Sequence, residues 1–241
     1  MATKKTTSVN SATEKKIEIP KNIRECTFWK RVPYKLDEEQ WNFLEAIWNK
    51  KNLIVFCDAK AGTSKTTLSV GMGLLMYELG FYKKLYYVVS PCQEQELGFR
   101  PGGVAEKLSD YRTPLDDALL TWGYDPDRVV ISEDNMENVK NGNAFVSITS
   151  DVFLRGCNFS EAFVIIDEAQ NSKQLKKIIS RCHDTCKVLC VGHRKQTDLR
   201  FAQDSQFPEY IEAARKVDFA EIVELTINHR GRLSTWADNV I

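Results

Sequence analysis

The chain has 241 residues, in which 33 lysines and arginines balance 33 aspartates and glutamates, so its formal net charge is zero. This balance excludes a global basic field for nucleic-acid binding, although a basic face of limited extent remains compatible with it. No apolar run is long enough to span a bilayer, and no apolar signal segment opens the chain. The seven cysteines are odd in number and scattered, which is typical of a cytoplasmic protein with reduced thiols.

Residues 1–16 are polar and carry almost no large apolar side chains. Such a segment cannot bury enough surface to offset its conformational entropy, so we expect a flexible tail. Over residues 17–241 the composition is that of a globular domain, without an internal repeat or a low-complexity linker. This length is enough for a single α/β domain with its own core.

Helical and strand patterns alternate along this domain. Apolar residues at spacings of three and four predict helices, and short apolar runs predict buried strands. In chain order the predicted elements are a helix over 36–51, a strand over 52–58, a helix over 66–80, strands over 83–90, 143–150 and 162–169, a helix over 172–182, and strands over 187–192 and 221–226. Asp37 is a suitable N-cap for the first helix, Gly80 ends the second, and the third has a basic outer face.

Strands that alternate with helices require crossover connections, which produce a mostly parallel sheet covered by helices on both faces. We therefore predict an α/β fold with three layers. The length and the order of the elements suit one RecA-like domain and leave no room for two.

The stretch AKAGTSKTT, residues 59–67, joins the first predicted strand to the following helix. A phosphate-binding P-loop has the pattern G-x-x-x-x-G-K-[ST] in this strand–loop–helix context. Its backbone N–H groups bind phosphate oxygens, Lys65 would neutralise the β- and γ-phosphates of ATP, and the Thr66 hydroxyl would ligate Mg²⁺. The predicted nucleotide-binding residues of this loop are Ala59, Lys60, Ala61, Gly62, Thr63, Ser64, Lys65, Thr66 and Thr67.

Both outer glycines of the pattern are replaced, by Ala59 and Ser64, while Gly62 remains at the bend. A methyl group fits at Ala59 if the backbone there keeps a negative φ. Ser64 is well suited to a helix start, but its side chain can crowd the phosphate. These differences leave two interpretations open, a working nucleotide site and a strand–loop–helix with an accidental motif.

A second polar motif, FVIIDEAQN, places Asp167 and Glu168 at the carboxyl end of the predicted strand over 162–169. Ligands bind at this end of the strands in an open parallel sheet. Asp167 would hold Mg²⁺ through water, and Glu168 would orient or deprotonate an attacking water. Two solvated acids at a helix start are the alternative. The two motifs follow separate strands, as such sites require.

Cys182, His183, Cys186 and Cys190 lie close together in the sequence. Their spacing matches no common zinc pattern, and Cys190 lies in an apolar run where a thiol acts as a small core residue. We expect core cysteines here rather than a metal site.

Several motifs resemble the PhoH-like ATPases, a family related to superfamily-one helicases. The segment over 97–119, LGFRPGGVAEKLSDYRTPLDDAL, is similar to a family segment that generic P-loop proteins lack. The other similar stretches are AGTSKT (61–66), FLRGCNFSEAFVIIDEAQN (153–171) and VGHRKQTDL (191–199). The resemblance covers residues 37–241 and implies a RecA-like P-loop NTPase domain.

The resemblance also implies roles for individual side chains. LDEEQWNFLEAI resembles the helicase Q-motif, in which Gln40 would read the adenine edge; a surface glutamine on a helix is the alternative. LTINHRG resembles the helicase motif whose arginine meets the γ-phosphate, which nominates Arg230 as an arginine finger acting in cis or across a subunit. Arg155 is a second candidate, and an ordinary surface ion pair is the alternative for either arginine.

One motif departs from the family pattern G-D-x-x-Q, because here Gly192 is followed by His193. Gln196 is retained and would sense the γ-phosphate. With Ser64, His193 makes two altered functional positions, so slow hydrolysis and binding without turnover are both open. The predicted catalytic residues are Lys65, Asp167, Glu168, Gln196 and Arg230.

The activity implied by the resemblance is Mg²⁺-dependent ATP hydrolysis by in-line attack of water. The implied partners are RNA or single-stranded DNA, and a homo-oligomeric ring would let each subunit complete the site of its neighbour. A nucleotide-gated switch or scaffold without turnover is the alternative. A small-molecule kinase is disfavoured because Glu168 beside Asp167 suits water activation and the sequence shows no arginine-rich lid.

Overall fold

The computed structural model describes residues 19–90, 104–132, 135–151, 154 and 156–238. Within these residues six strands form one sheet, in the order β3-β2-β4-β5-β1-β6, and every neighbouring pair is parallel. The strands are β1 (Ile54–Ala59), β2 (Lys84–Val89), β3 (Val146–Ser150), β4 (Ala162–Ile166), β5 (Lys187–Gly192) and β6 (Ala220–Leu225). All six predicted strands are confirmed.

Eight α-helices lie in the same described ranges. They are α1 (Glu38–Trp48), α2 (Lys65–Glu78), α3 (Val104–Thr121), α4 (Pro126–Val129), α5 (Met136–Lys140), α6 (Leu175–Ile179), α7 (Phe207–Ala214) and α8 (Arg232–Asp238). Of the features singled out in the sequence, the tail over 1–16, Arg155 and residues 97–103 lie outside the described residues.

Alternate residues of each strand point to opposite faces of the sheet, and each face has its own core. On β1, Val55 and Cys57 pack into a core shared with α1, α2 and α3. Ile54 and Phe56 pack into a second core shared with α6 and α7. The predicted three-layer α/β fold of the RecA-like type is therefore confirmed.

The first helix begins where the sequence predicts. Asp37 Oδ1 accepts a 2.8 Å hydrogen bond from the Gln40 backbone N–H, and Gln40 Oε1 accepts one of 3.2 Å from the Asp37 backbone N–H. This reciprocal pair is a capping box, which satisfies backbone donors that the first turn of a helix leaves free. Asp37 is thus the N-cap of α1.

Helix α2 leads away from the loop over 60–64 and is buried from Leu68 to Met76. A side chain at Gly71 would collide with the Trp122 indole, which is 1% exposed. The indole N–H donates a 2.7 Å hydrogen bond to the Thr67 carbonyl in the first turn of α2. Gly80 ends the helical turn with a φ of 74°, in agreement with the sequence prediction.

The helix predicted over 172–182 is shorter than expected, because α6 covers only Leu175–Ile179. At its start, Ser172 Oγ accepts a hydrogen bond from the Gln174 N–H, which fixes a turn instead of a helix. At its end, the Arg181 carbonyl accepts a 2.8 Å hydrogen bond from the Phe159 N–H, so the chain there is committed to an extended pairing.

Candidate active site

The loop over 60–64 leaves the end of β1 and enters α2 at Lys65. Ala59 is fully buried as the last residue of β1 and does not have a positive φ. The methyl group therefore fits at this position, as the sequence predicts.

Two residues of the loop have left-handed backbone, Gly62 with a φ of 73° and Ser64 with a φ of 64°. A Cβ atom at Gly62 would lie 2.5 Å from Asn228 Oδ1, so both the φ and the packing require glycine. Ser64 adopts the conformation that favours glycine and makes no side-chain cap to α2, so its suitability as a capping residue is not used. We place the cost of this strain at about 1 kcal/mol.

Thr63 lies between these two residues without a positive φ. Successive residues whose backbone alternates between right-handed and left-handed conformations turn their N–H groups toward one point, which forms an anion-binding nest. Among the described residues, no hydrogen-bond acceptor is found for the N–H groups of Gly62 and Ser64. The loop thus presents free donors at the N-terminal end of a 14-residue helix, where the helix dipole also favours an anion.

Two pairs of side chains join this loop to the end of β4. Lys65 Nζ lies 3.1 Å from Glu168 Oε1, and the Thr66 hydroxyl donates a 2.8 Å hydrogen bond to Asp167 Oδ2. β4 and β1 are separated in the sheet by β5, so both pairs reach across the end of one intervening strand. The structure thus brings together the lysine, the hydroxyl and the two acids that the sequence singles out.

Asp167 is 3% exposed and accepts a further 2.6 Å hydrogen bond from the Tyr87 hydroxyl. Burial raises the pKa of Asp167, and the charge of Glu168 raises it further. Burial and the Asp167 charge also raise the pKa of Tyr87 well above its usual value. Tyr87 therefore stays a hydroxyl donor to the carboxylate at any ordinary pH.

Glu168 also has left-handed backbone, with a φ of 50°, and such strain is concentrated at functional sites. Gln170 Nε2 donates a 2.6 Å hydrogen bond to Glu168 Oε2, and Gln170 Oε1 accepts one of 3.1 Å from the His193 N–H. A Cβ at Gly192 would lie 2.5 Å from Gln170 Oε1. The bare Cα of Gly192 therefore makes room for the amide that holds Glu168.

Lys65, Thr66, Tyr87, Asp167 and Glu168 line one cavity of about 1210 Å³, which we call the cleft. Its lining includes Gly62 to Thr67, from the loop and the first turn of α2, together with residues from the ends of β2 and β4, from α3 and from the segment that follows β6. Arg200 and Arg230 are exposed at its rim. A cleft with backbone donors, a lysine and two arginines is suited to a polyanionic ligand.

A family model described as PhoH-like protein matches residues 34–238. The chain belongs to the PhoH-like protein family. It is 32% identical over 180 residues to the PhoH-like protein of Bacillus subtilis strain 168, which covers 73% of this chain and 53% of that protein. It is 30% identical over 169 residues to the protein PhoH of Escherichia coli K12, with coverages of 68% and 44%. The chain spans about half the length of these relatives.

Two side chains that the PhoH-like resemblance nominates do not line the cleft. Gln40 is 1% exposed, so the alternative of a surface glutamine is wrong; its Nε2 donates to the Thr63 carbonyl at 3.2 Å. Gln196 is exposed and lies outside the cleft lining. Their roles in reading adenine and in sensing the γ-phosphate stay predictions, as does the role of Arg155.

Of the predicted nucleotide-binding residues over 59–67, some line the cleft and others do not. Thr67 lines the cleft, whereas Ala59, Lys60 and Ala61 lie outside its lining. The Lys60 N–H donates to the Leu225 carbonyl at 3.0 Å, so this part of the loop is bonded to the edge strand. Arg230 lies at the cleft as the resemblance implies and forms no ion pair with any described residue.

Sequence reasoning missed Tyr87, Gln170 and Arg200. Tyr87 lies in an apolar run and carries no signal of its function apart from a hydroxyl in a buried strand. Gln170 belongs to DEAQN, where its place two residues after Glu168 is a usable signal. Arg200 lies in a run of mixed charge, and such runs are usually only solvated faces.

The cysteines near residue 182 lie in the second core. Cys186 and Cys190 are buried, and Cys182 packs against the same cluster. Burial raises the pKa of Cys182 to about 12 and also raises that of Cys186. No group of three or more His, Cys, Asp or Glu that would hold a metal occurs in the described ranges, and no described helix is long and apolar enough to cross a bilayer.

Proposed function

We propose that this PhoH-like chain binds ATP with Mg²⁺ and hydrolyses the bond to the terminal phosphate. The observation that carries the proposal is the meeting of two residue pairs from distant motifs in one cleft. Lys65 lies 3.1 Å from Glu168, and Thr66 lies 2.8 Å from Asp167. The choice of ATP among nucleotides rests on the family resemblance.

The donor set suits a hard divalent cation. The Thr66 hydroxyl and the Asp167 carboxylate are oxygen ligands, and they already lie in contact. Thr66 would hold Mg²⁺ directly, and Asp167 would hold it through water. When bound, the ion would supply positive charge to the phosphate oxygens.

The remaining steps belong to the residues of the chain. The free N–H groups of the loop and Lys65 would bind the β- and γ-phosphates. Water would attack the γ-phosphorus and the bond to the ADP oxygen would break, while Glu168 accepts the proton of the water. Arg230 would stabilise the charge that develops on the phosphoryl oxygens. Gln170 supports this role of Glu168, because it holds one carboxylate oxygen and leaves the other toward Lys65.

A nucleotide-gated switch without turnover is the second candidate, and Ser64 favours it. Ser64 has left-handed backbone, stands where the P-loop pattern has glycine, and lines the cleft. If this side chain holds the phosphate away from Lys65, ATP would bind and raise the melting temperature by mass action without being hydrolysed.

Coupling to RNA or single-stranded DNA, and assembly into a ring, stay proposals. The exposed guanidinium groups of Arg200 and Arg230 at the rim support a polyanionic partner near the cleft. The phosphate-release assay therefore includes one arm with single-stranded RNA and one with single-stranded DNA. Light scattering with and without ATP tests the ring, and a strict monomer in both states would overturn it.

The direct test is phosphate release from ATP with Mg²⁺, together with binding of a fluorescent ATP analogue. Lys65→Ala removes the phosphate-binding charge, and Glu168→Gln keeps the shape while removing the proton acceptor. Lys84→Ala changes an exposed lysine at the start of β2, remote from the cleft lining, and is the matched control.

We expect Glu168→Gln to bind ATP and lose turnover, Lys65→Ala to lose both, and Lys84→Ala to match the wild type. Binding without turnover in the wild type, with turnover restored by Ser64→Gly, would establish the switch instead. No binding by the wild type would refute both candidates.

A further inference from the structure

Residues 226–231 join β6 to α8, and we call residues 226–230 of this connection, which end in Arg230, the arginine segment. The Arg230 side chain is exposed at the rim of the cleft and forms no ion pair with any described residue. Its main-chain N–H donates to Asn228 Oδ1 at 2.8 Å. The position of the guanidinium therefore depends on how the rest of the arginine segment is held.

The first turn of α1 holds this segment through two carboxylates. Glu39 Oε2 accepts hydrogen bonds from the backbone N–H of Thr226 at 2.6 Å and of Ile227 at 3.3 Å, and Glu39 Oε1 accepts one from the Thr226 hydroxyl at 2.7 Å. Asp37 Oδ2 lies 2.8 Å from His229 Nε2. The two carboxylates thus bond both ends of the arginine segment.

The same segment is bonded to the phosphate-binding loop. The His229 N–H donates a 2.8 Å hydrogen bond to the Gly62 carbonyl. The Asn228 side chain occupies the space that a Cβ at Gly62 would need. Gln40, on the same turn of α1, donates to the Thr63 carbonyl. One turn of α1 therefore bonds both the loop and the arginine segment.

We propose that Glu39 and Asp37 are positioning residues that fix Arg230 relative to the phosphate-binding loop. The inference rests on the proposed function, since it assigns a role within the same site. An arginine that stabilises developing charge must lie within a fraction of an ångström of its working place, and a misplacement of about 1 Å costs on the order of 100-fold in rate. Neither carboxylate lines the cleft, so both act through the backbone and His229.

The test is a set of steady-state ATPase measurements on α1 variants. Glu39→Ala removes all three hydrogen bonds, whereas Glu39→Gln keeps one oxygen that can accept the two backbone N–H groups. Glu45→Ala is the matched control, because Glu45 lies on the same helix and pairs with Arg24 at 2.6 Å instead of the arginine segment. His229→Ala tests the contact to Asp37 separately. Each variant is also made in an Arg230→Ala background.

We expect Glu39→Ala to lower kcat about 10- to 100-fold with little change in KM, because the interaction with Arg230 acts in the transition state. Glu39→Gln should recover most of this loss, and Glu45→Ala should match the wild type. His229→Ala should lower kcat less than Glu39→Ala. In the Arg230→Ala background, Glu39→Ala should have no further effect, because the residue that it positions is gone.

Hydrogen exchange gives a second readout that does not depend on turnover. The amides of Thr226 and Ile227 should exchange faster in Glu39→Ala and unchanged in Glu45→Ala. The inference would be overturned, while the ATPase stands, if Glu39→Ala lowered kcat by the same factor with and without Arg230. It would also be overturned if Glu39→Ala alone, or Arg230→Ala alone, left kcat unchanged. A wild type that does not hydrolyse ATP would overturn the proposed function, and this inference with it.

Discussion

The Thr66 hydroxyl donates a 2.8 Å hydrogen bond to Asp167 across 101 residues of sequence. The same carboxylate oxygen accepts a hydrogen bond from the Tyr87 hydroxyl. Asp167 is only 3% exposed. Burial and the charge of Glu168 raise the pKa of Asp167, so the folded chain holds the proton of this acid more tightly than the unfolded chain does. Ionisation of Asp167 therefore lowers the free energy of unfolding, whereas the proposed role in binding a cation requires the ionised carboxylate.

Asp167→Asn should accordingly be more stable than the wild type and bind Mg²⁺ about 10- to 100-fold more weakly. A raised pKa means that the contribution of Asp167 to stability is present at low pH and lost as the pH rises through that pKa. The excess stability of the variant should therefore grow from pH 4 to pH 7, as thermal melts without Mg²⁺ would show. Thr66→Ser, which keeps the hydroxyl, is the control. A variant less stable than the wild type at pH 7 would contradict this account.

Ser64→Gly should relieve the left-handed strain and stabilise the chain by about 1 kcal/mol, or about 2–4 °C in melting temperature. Ser64→Ala keeps the strain and removes the hydroxyl, so it separates the two effects. Glu161→Gly is the matched control, since Glu161 has a φ of 50° and does not line the cleft. We expect both glycine variants to gain stability, but only Ser64→Gly to change ATP turnover. Equal turnover in Ser64→Gly and the wild type would show that the serine does not obstruct the site.

Gly192→Ala should displace Gln170 and release Glu168, which we expect to lower kcat by about 10- to 100-fold. Gln170→Ala should lower it similarly, and the double variant should be no slower than either single one, because both remove the same contact. Gly73→Ala is the control: its Cβ would lie 2.5 Å from Leu85 in the core, so it should lose stability and keep the kcat of its folded fraction. Multiplicative losses in the double variant would argue against the contact.

Lys187→Met should alter the pH dependence of stability. Lys187 is 3% exposed and donates to the Asn49 carbonyl at 2.8 Å, and burial lowers its pKa from 10.5 to about 8. Between pH 8 and pH 10.5 the unfolded chain binds a proton here that the folded chain does not. Lys187 should therefore make a contribution to the free energy of unfolding that rises with pH, by about 1 kcal/mol per unit. The buried cysteines, whose pKa values are raised, contribute in the opposite direction, so the role of Lys187 is measured as the difference in slope between the wild type and the variant.

Urea denaturation at pH 8, 9 and 10 would measure this slope. It should be smaller in Lys187→Met and unchanged in Lys84→Met, which replaces the exposed first residue of β2. Identical slopes in all three proteins would show that the buried lysine keeps its ordinary titration.

The sheet and the central residues of the site could be predicted from the sequence because their signals are local. A parallel strand buried on both faces is a continuous apolar run. Asp167 and Glu168 follow such a run directly, and Lys65 and Thr66 follow another after the loop over 60–64. The common edge of the sheet then brings them together. Helix α3 gave no such signal, because Pro114 lies inside it and proline usually ends a helix. Helix α7 did carry one, since Phe207, Ile211 and Ala214 are spaced for one buried face.

Relationships between distant residues could not be predicted, because they depend on how elements pack. Nothing in the sequence indicates that Gly192 makes room for Gln170, or that Glu39 bonds the backbone of Thr226. Likewise, the left-handed backbone at Ser64 follows from the path of the loop between β1 and α2 and not from serine itself.

The Trp122 indole donates to the Thr67 carbonyl, and Thr67 lines the cleft. Indole emission responds to the polarity and hydrogen bonding of its surroundings, so Trp122 is a built-in optical probe of the first turn of α2 beside the cleft. Trp29 lies 5.4 Å from Trp122, centroid to centroid, and Trp41 lies 6.0 Å from Trp29. At these distances the three indoles can exchange excitation energy, and stopped-flow fluorescence on the unlabelled protein would test whether a ligand in the cleft changes the emission of Trp122.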